Sequence, residues 1–133
     1  MLSRIAESLF WIGRYVDRAD NTARLLDLHF IVLREDPWVD EPSANSSLQQ
    51  VMHCEYAGEV TRETVLEYLA YDPERASSIA GTLTAARENA RRAREVISTE
   101  VWESLNTTRQ QLASRARTRR PYTYFEWVRE RAA

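Results

Sequence analysis

With 133 residues, three glycines, four prolines, 44% apolar and 29% charged residues, the chain is one domain's worth of sequence, long enough to bury a real core. Its apolar start is interrupted by Arg4, Glu7, Arg14, Asp17 and Arg18, which excludes a signal peptide and a transmembrane helix. The formal charge of −2 argues against nucleic acid, and the single cysteine, Cys54, agrees with a reducing compartment, so a cytoplasmic protein without membrane contact is expected.

Leu2, Ile5, Leu9, Ile12, Val16, Ala19, Ala23, Leu26, Phe30 and Leu33 recur at three- and four-residue intervals, which predicts one long amphipathic helix. Ser3 is its candidate N-cap and Asp36-Pro37 its stop, placing the end at about Leu33. On the opposite face Arg14, Asp17, Arg18 and Asn21 fall together, with Phe10 and Trp11 a turn earlier and Leu25 and Leu28 a turn later. That face therefore reads as buried at both ends and polar only in its centre. Charges held between buried neighbours need partners, so the cluster is either a structural ion-pair network or a binding site.

The stretch 35–47, with Pro37, Pro42 and a small polar run, reads as a connection, and a helix is predicted from about Ser47 through Leu48, Val51 and Met52. His53, Cys54, Glu55 and Glu59 are metal-ligand types, but their spacing fits no zinc pattern and no second pair exists, so they read as incidental surface residues. Thr61 opens another helix with Val65, Leu66 and Leu69 buried, ended by Tyr71-Asp72-Pro73. Ser77 or Ser78 then caps a second long helix whose seam is Ile79, Leu83, Ala86, Ala90, Ala93 and Ile97, its alanines suited to close helix approach. Arg87, Asn89 and Arg94 border that seam, whereas Glu88, Arg91, Arg92 and Glu95 project outward. Ser98-Thr99 kinks or recaps the helix, and Val101, Trp102, Leu105 and Leu112 continue an apolar stripe to about Ala113. Residues 114–121 read as a basic linker, with Arg115, Arg117, Arg119 and Arg120. Phosphate neutralisation is one reading of it, but with no nucleic-acid motif beside it a solvated loop is the expectation. Phe125, Trp127 and Val128 predict a last helix that stops without a cap, as a cut end would.

Charge is unevenly spread: five arginines against six acids up to Asp36, two against eight from Pro37 to Ala76, and eleven against six from Ser77 onward. Every basic residue is arginine, a bias that a GC-rich genome explains as readily as a need for bidentate contacts. No strand pattern, phosphate-binding glycine loop or nucleophile elbow is present, and no cofactor is implied. The expected fold is all-α: a bundle of long helices with short connecting helices, forming a single domain over 1–133.

Three blocks, MLSRIAESLFWIGRYVDRADNTARLLDLH, EYLAYDPERASSI and AARENARRAREVISTEVWESLN, resemble in order the N-terminal half of the bacterial alpha-E domain family, named for an all-helical fold and a glutamate-arginine motif. Members of that family are about twice this length, so the resemblance implies a fragment or a truncated paralogue, an incomplete half of a larger helical domain. It also implies a protein partner, a circularly permuted ATP-grasp protein, with a transglutaminase-like peptidase in the same pathway and a setting of peptide or amide-bond formation and peptide modification. The family's glutamate-arginine pair falls on Asp17 and Arg18, with Tyr15, Ala19, Asn21 and Arg24 around it; the glutamate is aspartate here, its carboxylate one methylene shorter. The second family-like set is Arg87, Glu88, Asn89 and Arg94, followed by Trp102 and Asn106.

The leading expectation is an accessory or substrate-handling domain for an ATP-grasp ligase. In it Arg14, Asp17, Arg18, Asn21 and Arg24 face Arg87, Glu88, Asn89 and Arg94 to hold a carboxylate or phosphate. A second reading makes the chain catalytic, with Asp17 or Glu88 as general base. A third makes the charges a structural network. Apolar seams left uncovered would in addition favour homo-oligomers.

Overall fold

The structure, a computed structural model, describes residues 2–52, 60–117 and 120–132, and every regular element among them is helical. Helix α1 spans Leu2–Glu35 and stops at Asp36-Pro37 as expected, although Ser3 lies inside its first turn and does not cap it. At 1.5 Å per residue its 34 residues extend about 50 Å. Helix α2, Glu41–Val51, begins well before the expected Ser47. Asp40 caps it by accepting the Ser43 N–H at 3.2 Å, and Pro42 sits in the first turn, where a missing N–H costs nothing. The polar run 43–47 is therefore helical and the connection shrinks to 36–40. Buried Asn45 ties α2 back to α1, its Oδ1 2.9 Å from His29 Nε2.

Helix α3, Arg62–Leu66, opens with Thr61 and Thr64 capping each other and continues as a π-helical turn, Glu67–Tyr71. Helix α4, Ile79–Arg92, is capped by Ser78, whose Oγ accepts the Gly81 N–H at 2.8 Å and lies against the carbonyls of Asp72 and Arg75. The chain leaves α4 at Ala93 and turns before α5, Thr99–Arg117; the Val101 N–H bonds Ser98 Oγ at 3.2 Å, so these residues recap and do not merely kink the helix. Because α5 runs to Arg117, the first four residues of the expected basic linker are helical. Helix α6, Pro121–Ala132, follows with proline at its first position. The cluster His53, Cys54, Glu55 and Glu59 lies outside the described residues.

Helix α4 is the centre of the bundle. Ile79, Ala80, Leu83, Ala86 and Ala90 are buried along it, and α1, whose Ala19, Ala23 and Leu26 are buried in the core, packs along it, small side chains on both helices suiting close approach. Helix α6 covers the C-terminal half of α1, where the Phe125 ring stacks on Phe30 with centroids 6.2 Å apart and 13° between planes. Helix α5 closes α4 from another side. The α1 seam predicted from periodicity is thus buried only from Ala19 to Leu26, and Leu9 faces outward.

Where α6 meets the π-helical turn, the Tyr124 hydroxyl donates to the Ala70 carbonyl at 2.9 Å and its ring meets Tyr71 edge-on at 4.9 Å. Burial, and secondarily the Tyr71 phenol, pushes the Tyr124 phenol above the ordinary tyrosine range. The unfolded chain ionises near pH 10 while the folded one resists, so this contribution is intact below about pH 10 and is lost as pH rises beyond it. Urea unfolding between pH 9 and 11 is expected to show stability falling, Tyr124 supplying up to about 1.4 kcal/mol per pH unit. Tyr124→Phe is expected to cost about 1 kcal/mol at pH 7 and to flatten that slope; equal slopes in the two proteins would assign it to other groups.

Candidate functional site

Residues 10, 14, 17, 21 and 28 of α1 follow the three-to-four periodicity of one helix face, which no other described element covers. Phe10 is 52% and Leu28 59% exposed, Trp11 is also exposed, and Leu25 is half-buried. The face is thus not apolar and buried at its ends, as expected, but open along about 27 Å. In its centre Arg14, Asp17, Arg18 and Asn21 are all exposed. With Thr22, Leu25 and Met52 they line a shallow groove of about 280 Å³.

Among the described residues none of these four side chains makes a hydrogen bond or an ion pair. Their only side-chain contacts of note are with rings, Arg14 at 6.0 Å from the Phe10 centroid and Arg18 at 6.0 Å from Tyr15. Both guanidinium groups keep their full fork of donors, and Asp17 keeps its acceptors. A buried network that fixes helix register would have consumed them; this set is available to a partner.

Arg24 is turned away from the group. Its Nε bonds Asp20 Oδ2 at 3.1 Å, and it lines a different groove shared with Tyr122, Glu126 and Arg129 of α6. The second expected set is also engaged elsewhere. Arg87 donates through Nη1 to Glu88 at 2.7 Å and through Nε to Asn106 at 3.3 Å. Arg87 and Arg94 both lie on the Trp102 ring, at 5.4 and 4.8 Å from its centroid. Glu88 receives Arg91 at 3.7 Å on its other oxygen, and the Asn89 amide donates to the Ala85 carbonyl at 3.0 Å. Arg87, Glu88, Arg94, Trp102 and Asn106 therefore form one cluster that fastens α4 to α5. No hydrogen bond or ion pair among the described residues joins it to Asp17, Arg18 or Asn21. Glu88 is the member of this cluster that spacing alone placed outward.

Residues 1–133 match the family model of the Alpha-E domain, described as a predicted alpha-helical domain with a conserved ER motif. The chain belongs to the Alpha-E family. No curated protein and no solved structure matches it. In this Alpha-E chain the literal glutamate-arginine dipeptide stands at Glu74-Arg75 and Glu130-Arg131. Both arginines act as fasteners: Arg75 lies 3.4 Å from the Tyr68 ring centroid and 3.5 Å from Asp72, and Arg131 donates to Thr108 Oγ1 at 2.8 Å and the Ser104 carbonyl at 2.9 Å. Asp17-Arg18, by contrast, makes no hydrogen bond or ion pair among the described residues. Among the described residues of the Alpha-E chain no group of three or more His, Cys, Asp or Glu side chains is placed to hold a metal, and no helix is long and apolar enough to cross a membrane.

Proposed function

We propose that this Alpha-E chain is an accessory, substrate-handling domain that works in the cytoplasm with a circularly permuted ATP-grasp ligase in peptide or amide-bond formation or peptide modification. A transglutaminase-like peptidase belongs to the same pathway in this reading. The observation that supports it is the open α1 face, where two guanidinium groups, one carboxylate and one amide, none paired with another described residue, sit between exposed Phe10 and Leu28. Arginines with all donors free suit a carboxylate or phosphate, and apolar residues flanking a charged centre suit a protein surface that closes over it.

The test is co-purification with a circularly permuted ATP-grasp protein from the same organism, followed by amide-ligation assays. Arg18→Ala removes charge-assisted contacts and is expected to reduce complex formation or turnover ten- to a hundredfold, about 1.5–3 kcal/mol. Arg18→Met, which keeps much of the side-chain volume at an exposed site, is expected to lose function equally while unfolding like the parent. Unchanged complex and unchanged turnover in both variants would remove the reading.

The alternative in which the chain is itself catalytic draws less support. Glu88 has both oxygens engaged by arginines, and among the described residues no second side chain orients Asp17 as a general base. A purely structural or oligomerising module is favoured by the exposed Leu9, Phe10 and Trp11, and light scattering on the purified chain tests it directly.

A further inference from the structure

The first turns of α1 and the last turn of α4 enclose a second cleft, of about 660 Å³, which shares no residue with the groove at Asp17 and Arg18. One wall is aromatic, the Trp11 and Tyr15 rings lying 5.5 Å apart and tilted by 31°. Arg4, Glu7 and Arg92 stand around it, none with an ion pair or hydrogen bond among the described residues. Asn89 is held by its bond to the Ala85 carbonyl, which leaves its Oδ1 free, and the nearly buried Ser8 adds a hydroxyl.

We infer that this cleft binds a small aromatic carboxylate carrying an amino group, a free aromatic amino acid. Two arginines and one glutamate offer cationic donors for one carboxylate and an anionic acceptor beside them, an arrangement that Glu7 makes unfavourable for the several negative charges of a nucleotide phosphate. Glu7 and the Asn89 oxygen are acceptors for an ammonium, and the tilted Trp11–Tyr15 wall takes a flat apolar group by offset or edge contact. The volume lies in the range of small-molecule sites. This binding does not depend on the role proposed for Arg18, and it is read on the chain alone without a ligase.

The experiment titrates the 15N-labelled chain with L-phenylalanine and follows the indole N–H signals of Trp11, Trp38, Trp102 and Trp127, with the Trp11 signal identified by its loss in Trp11→Phe. The Trp11 signal is expected to shift saturably below about 10 mM. Arg92→Met is expected to weaken binding roughly tenfold. Acetate, which lacks the ring, phenethylamine, which lacks the carboxylate, and phenylpropionate, which lacks the amine, should each bind more weakly than phenylalanine. Arg4 and Arg92 are exposed, so their variants are expected to fold, and weakening of wild-type binding by salt checks the same charge without a mutation. The inference is overturned if Trp11 does not move, if only another indole moves, if neither Arg4→Met nor Arg92→Met alters affinity, or if AMP binds as tightly as phenylalanine.

Discussion

Gly81→Ala is expected to destabilise the protein by about 3 kcal/mol, although helix propensity alone assigns it a gain of about 1 kcal/mol. Gly81 lies in the first turn of α4, and a Cβ there would stand 1.9 Å from the Arg75 carbonyl oxygen and 2.7 Å from its carbon. Neither atom belongs to a flexible side-chain end. Relief would have to come from moving the turn between Asp72 and Ser78, which the Ser78 hydroxyl holds to the helix start through the Asp72 and Arg75 carbonyls. Gly13→Ala is the control: a Cβ at Gly13 meets nothing within 4 Å, so the propensity gain of about 0.5–1 kcal/mol should appear undiminished. Urea midpoints that move in opposite directions for the two variants would confirm this account. A gain in both would show that the α4 start is not closely packed against that turn.

Phe125→Ala is expected to cost about 4 kcal/mol, a large fraction of the stability of a domain this size. Phe125 is fully buried, stacked on Phe30 of α1 and edge-on to Tyr124 at 6.1 Å. Removing its ring takes away the stack that ties α6 to α1, and the Arg129–Asp27 pair at 3.7 Å, one of whose partners is substantially exposed, contributes little in its place. Phe125→Leu should recover more than half the loss, because most of the apolar area is restored. If Phe125→Ala instead unfolds at nearly the parental urea concentration, α6 is not a load carried by this stack.

The helices were legible in the sequence because their signals are local: the seam from Leu2 to Leu33, the Thr61 and Ser78 caps and the Asp72-Pro73 stop each need only a few neighbouring residues. The α2 start was missed because Ser43 to Ser47 is rich in loop-forming residues, while the Asp40 cap and Pro42 in the first turn override that composition. The candidate site was legible as a set of residues on α1 but not in its surroundings. Helix periodicity gives a face and not what covers it, so Phe10 and Leu28 read as buried although both are more than half exposed. The same limit paired the Arg14–Asn21 set with Arg87–Arg94. Only the packing of the helices shows that Arg87 and Arg94 turn to Trp102, and that Asn89 and Arg92 line a cleft with Arg4 and Trp11 instead.

Helix α1 carries its burial unequally: between Ser8 and Ala19 none of its residues is fully buried, whereas Ala19, Thr22, Ala23 and Leu26 are. Its amide hydrogens should therefore exchange along a gradient, fast by local opening near Leu9 to Arg14 and slow beyond Ala19, where opening requires the bundle to come apart. Arg14 and Arg18 stand where these two regimes meet. A partner that grips them would slow exchange in the turns before them as well as at the contact, so deuterium uptake by this one helix would locate the docking face without a structure of the complex.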